Sequence, residues 1–95
     1  MSTATARLPT AHASRYLQQL CKHWSHKFAV DFTPANGRIE MSAGVLILDA
    51  DADGLGLHLS AAPEILSRME DAVAEHLKRF AFREELRFDW VEMVQ

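Results

Sequence analysis

Two histidines three residues apart, His23 and His26, stand beside Cys21, Lys22 and Lys27 in the stretch LCKHWSHKF, and a third, His76, opens HLKRFAFREEL. Neutral imidazole binds divalent metals and moves protons near neutral pH. His23, His26 and His76 are therefore candidate ligands for a divalent metal such as iron or zinc, with Cys21 able to stand in for His26. Alternatively, one of the three acts as a general acid or base. Arg79, Arg83 and Glu84 would complete a polar pocket, and Lys22, Lys27, Lys78, Arg79 and Arg83 would form a basic seam beside Trp24 and Phe82. Such a seam suits an anionic small ligand or an acidic protein partner, although charges on helix exteriors are commonly just solvated. The candidate ligand-binding set is thus His23, His26, Lys27, His76, Arg79, Arg83 and Glu84. The plain alternative makes His76 a satisfied core residue and leaves His23 and His26 half-exposed near a helix C-terminus, where the dipole favours a cation.

Two other chemical readings are weaker. Cys21 falls on the apolar side of its helix, where a thiol packs as a small hydrophobe and lacks the exposure a nucleophile needs. Asp49, Asp51 and Asp53 alternate with alanine and end on Gly54, like the opening of a calcium loop. The twelfth position is then Ser60 where a bidentate glutamate is required, so a solvated hairpin turn accounts for the stretch better.

The elements that must hold these residues follow from periodicity. Thr3 to Leu8 alternates with period two and predicts a strand with Ala4, Ala6 and Leu8 on one side. Thr10 is the expected N-cap of a helix starting near Ala11. Tyr16, Leu17, Leu20, Cys21, Trp24 and Phe28 occupy a sector roughly 140° wide, as expected of a helix lying on a sheet. A meander follows: Val30 and Phe32, a turn at 34–37 using the easy positive φ of Asn-Gly, Ile39 and Met41, a turn at Ala43-Gly44, the run from Val45 to Ala50, a turn at 51–54, then Leu55, Leu57 and Leu59. Pro63 opens a second helix, expected to run to Ala81 or Arg83, with Ile65, Leu66, Met69, Ala72, Val73, Leu77 and Phe80 on its apolar face. Leu86, Phe88 and Trp90 alternate with charged residues as a last strand or extended tail.

The order β-α-β-β-β(-β)-α-β predicts a two-layer α+β domain over residues 1–95, an antiparallel sheet with both helices on one face. Residues 45–50 are apolar on both sides, which asks for a homodimer contact through the sheet or for cover by the Phe88–Trp90 tail. With 95 residues, 48% of them apolar, the chain can bury one core; its net charge of -3 argues against nucleic-acid binding. No secretion signal and no membrane-crossing run is visible, so a cytoplasmic location is expected.

LCKHWSHKF, the meander GRIEMSAGVLILDADADGL and HLKRFAFREELRFDW together resemble, over the whole chain, the bacterial family known as domain of unknown function 2218. The resemblance implies an α+β architecture like that of the TATA-binding protein or the phosphohexomutase C-terminal domain. It implies no activity, and only a loose link to genes for iron–siderophore uptake. Its motifs place His23, Trp24, His26, Lys27, Phe28, His76, Arg79, Phe80, Arg83 and Glu84 on this chain, and give His12 no role. The expected function is a small non-enzymatic binding or accessory module, its ligand held where helix one's histidines meet the end of helix two. The alternatives are a metal-dependent or acid/base enzyme using the histidines, and a structural module that dimerises through its sheet.

Overall fold

Alternation in the first residues becomes the first strand. The computed structural model describes residues 2–94 and runs β1 (Ser2–Pro9), α1 (Ala13–Trp24), β2 (Ala29–Phe32), β3 (Asn36–Met41), β4 (Gly44–Ala50), β5 (Gly54–Ala61), α2 (Pro63–Phe80) and β6 (Val91–Val94). The strands form one antiparallel sheet in the order β2-β3-β4-β5-β1-β6. This is the expected α+β order, with four strands between the helices. Ile39, Leu46, Leu59 and Ala4 are successive register partners across four strands, and all four are buried. That row belongs to the face on which both helices lie: α1 crosses β2 to β5, and α2 crosses β5 and β1.

Tyr16, Leu17, Leu20, Cys21 and Trp24 are the buried stripe of α1, and Leu66, Val73 and Leu77 that of α2. Each fully buried leucine contributes about 1.5–3 kcal/mol of transfer free energy, so these stripes hold both helices to the sheet. No helix among the described residues is long and apolar enough to cross a membrane.

Several local expectations are corrected. Thr10 does not cap α1: the helix starts at Ala13 and no side chain caps its N-terminus. The Thr10 hydroxyl accepts instead from the His12 amide at 3.1 Å, and its proton goes to Glu84. Phe28 lies beyond the end of α1, its ring edge-on to Trp24 at 5.9 Å. Asn36 and Gly37 start β3 rather than turning, and no described residue has positive φ. The turn before them is closed by the Thr33 hydroxyl, which accepts from the Ala35 and Asn36 amides at 3.3 and 3.1 Å. Gly37 has a packing reason instead: a Cβ there would stand 2.9 Å from the Cys21 sulfur.

α2 stops at Phe80, and residues 85–90 form no regular secondary structure and do not join the sheet. The Phe88 and Trp90 rings stack at 6.2 Å and pack against the core, with the Lys78 ammonium of α2 5.6 Å from the Phe88 ring. The tail therefore lies on the helical side and not over Val45 and Ile47.

Candidate functional site

Chain direction makes the helix pair antiparallel: Tyr16, in the first half of α1, meets Glu84 just beyond α2, while His23 near the end of α1 meets His76. The His23 and His76 rings stand 5.3 Å apart at 45°, and His76 also packs against Trp24 at 4.9 Å. The His76 Nδ1 lies 2.7 Å from the Ala72 carbonyl one turn earlier. A carbonyl oxygen only accepts, so Nδ1 carries the proton and the inward side of this half-buried ring is satisfied.

His23 is exposed and edge-on to Phe80 at 6.0 Å. His26 is exposed in the turn after α1, Lys27 sets its ammonium 5.6 Å from the Phe28 ring, and Arg79 is exposed in the last turn of α2. Two of the three histidines thus come together. No three His, Cys, Asp or Glu side chains are grouped to hold a metal ion among the described residues. Cys21 is buried, and that burial pushes its thiol up to about 11, as for a packing residue.

The other predicted residues, Arg83 and Glu84, belong to a different place on the same seam. After α2 the chain turns back on itself, with the Ala81 amide bonded to the Leu77 carbonyl and the Glu84 amide to the Ala81 carbonyl, both at 3.1 Å. Buried Ala81 and Leu86 pin the turn, and Glu84 is brought over the first half of α1. One carboxylate oxygen of Glu84 accepts from both the Tyr16 hydroxyl and the Thr10 hydroxyl, the latter at 3.0 Å. Burial raises the Tyr16 pKa, and the hydrogen bond to Glu84 and that carboxylate's charge raise it further. The phenol therefore stays protonated, a fixed donor, across the physiological range.

Above this network opens a cleft of about 480 Å³ lined by His12, Arg15, Tyr16, Phe80, Phe82, Arg83 and Glu84. Ion pairs among the described residues join Arg7 to Asp51 at 2.7 Å and Arg38 to Glu40 at 3.0 Å. Neither Arg15 nor Arg83 is so neutralised; the Arg83 guanidinium lies 5.4 Å from the Phe82 ring centroid. Two guanidiniums and an imidazole thus border a half-buried carboxylate whose oxygen is already occupied by two hydroxyl donors. That arrangement is suited to holding an anion by charge-assisted, bidentate contacts.

Thr10, His12, Arg15 and Tyr16 have no role in the sequence-based set. One signal for them was present: a tyrosine on a buried stripe must find a partner for its hydroxyl, which demands an acceptor from elsewhere in the chain. Glu70 is the other surprise. It lies on the buried side of α2, only 7% exposed, with one oxygen lacking a partner among the described residues. Burial pushes its pKa up to about 7, helped by a hydrogen bond to and the charge of Glu92 and by the charge of Asp71. The aspartate turn is structural: Asp51 binds Arg7 and accepts the Asp53 and Gly54 amides at 2.9 Å.

The chain matches, over residues 5–91, the model of a family described as an uncharacterised protein conserved in bacteria, DUF2218. No curated protein matches it. Among solved structures it is similar to PA4090 from Pseudomonas aeruginosa, determined by NMR, with 37% identity, 96% of each chain covered and a TM-score of 0.80.

Proposed function

The chain belongs to the bacterial DUF2218 family, and from that premise, which brings no activity with it, we propose that it is a small binding module that takes an organic anion in the cleft between α1 and the turn after α2. The observation that carries this reading is the pair of guanidiniums, Arg15 and Arg83, without a carboxylate partner among the described residues, in a cleft built on the Tyr16–Glu84–Thr10 network. The floor is preorganised, because the hydroxyl protons of Tyr16 and Thr10 are both committed to Glu84. Ligand binding then orders only the arginine side chains. His23, beside His76 further along the seam, packs edge-on against Phe80, which lines the cleft, so this end of the seam supports the cleft wall.

Calorimetric titration of the purified chain with benzoate at low ionic strength tests this reading, with Arg15→Gln/Arg83→Gln as the control. Saturable binding that the double variant loses supports it. Binding that survives in the double variant, or no binding by the parent chain up to tens of millimolar, contradicts it.

A further inference from the structure

The fold leaves one large apolar side chain far more exposed than any other it describes. Phe82 is 79% exposed, against 62% for Val91 and Met93 and 36% for Phe32. It stands on the turn after α2, held in place by buried Ala81 on one side and by the guanidinium of Arg83 over its ring on the other. A phenylalanine this exposed contributes little to burial, so the fold does not depend on its ring. Its place is the rim of the cleft, which Phe80 and Tyr16 also line. Phe80, Phe82 and Tyr16, the last only 4% exposed, therefore line one opening of about 480 Å³ together with two guanidiniums that have no carboxylate partner among the described residues, and the opening is large enough for a small ring compound.

Resting on the anion-binding reading, we infer that the ligand class is a planar aromatic carboxylate, its ring among Tyr16, Phe80 and Phe82 and its carboxylate on Arg15 and Arg83. Aromatic pairs add attraction beyond the area they bury, which a saturated ring of equal size does not share. Guanidinium meets carboxylate in a planar, two-pronged geometry, which suits a carboxylate coplanar with its ring. Arg83 over Phe82 couples the two requirements, since a ligand that engages the cation also meets the ring.

The test compares benzoate with cyclohexanecarboxylate, which has the same charge and carbon count but no aromatic face, on the full chain and on Phe82→Leu. Phe82 is so exposed that its replacement leaves the core untouched. The expected result is benzoate binding about threefold or more tighter than cyclohexanecarboxylate, the size of one aromatic pair, with Phe82→Leu erasing most of that preference. Equal affinity for the two acids, both lost in Arg15→Gln/Arg83→Gln, overturns the aromatic class and leaves the anion reading standing. Affinity that the arginine substitutions do not change overturns both. A preference that survives intact in Phe82→Leu overturns the placement of the ring.

Discussion

The Tyr16 hydroxyl on α1 donates to the Glu84 carboxylate 68 residues further along the chain, and this bond closes the α1–α2 seam at the end where the cleft opens. It is a charge-assisted bond at a buried phenol, so removing the donor exceeds the average loss for a neutral hydrogen bond. Tyr16→Phe is expected to lower stability by about 1–3 kcal/mol, and Glu84→Gln by a similar amount. The thermal midpoint of a domain this size falls about 4–8 °C per kcal/mol. Because the two residues share one bond, the double variant loses less than the sum of the single losses. Additive losses in chemical or thermal denaturation would contradict the coupling.

Glu70 ties stability to pH. An unfolded glutamate releases its proton near pH 4.5, and the folded Glu70 near 7, because burial and the facing carboxylates of Glu92 and Asp71 hold the proton on. Between those values the folded chain binds more protons than the unfolded one, so this residue's contribution to stability is fully present below about pH 4.5 and declines as pH rises to about 7. Glu70→Gln removes that decline. The difference in thermal midpoint between variant and parent, measured from pH 4.5 to 8, is expected to grow in favour of the variant; a difference that does not change with pH contradicts the assignment.

Gly37 is required by packing. A methyl group there would come within 2.9 Å of the Cys21 sulfur and 3.4 Å of Leu48, under α1. Gly37→Ala is expected to destabilise by about 1–3 kcal/mol through overpacking, and adding Cys21→Ala should restore part of the loss by removing the sulfur. A double variant no more stable than Gly37→Ala, measured by urea unfolding, would place the strain elsewhere.

Much of this structure was legible in the sequence because local periodicity and burial agree. The alternation of Ala4, Ala6 and Leu8 marked β1, and the stripe from Tyr16 to Trp24 marked the buried face of α1, since both patterns answer to a single flat core. Arg83 and Glu84 were marked as polar-site residues. Their neighbours Thr10, His12 and Arg15 were not, because the bond that unites them joins chain segments far apart, and no local pattern encodes such a pairing. Thr10 looked like a cap since its hydroxyl precedes a helix, but a distant carboxylate competed for that hydroxyl's proton. Glu70 is hidden in the sequence for the same reason: a charged residue on a helix reads as solvated until the edge strand β6 brings Glu92 to it.

The central claim, that ligand is held at the Tyr16–Glu84 end of the seam, is tested most directly by nitrogen-15 NMR of the full chain titrated with benzoate. The account predicts that the amide signals of His12, Arg15, Tyr16 and Phe82 to Glu84 shift in a saturable way, with those of His23, His26 and His76 moving little. Saturable shifts centred on His23, His26 and His76, with the signals of Tyr16 and Glu84 unmoved, would contradict it.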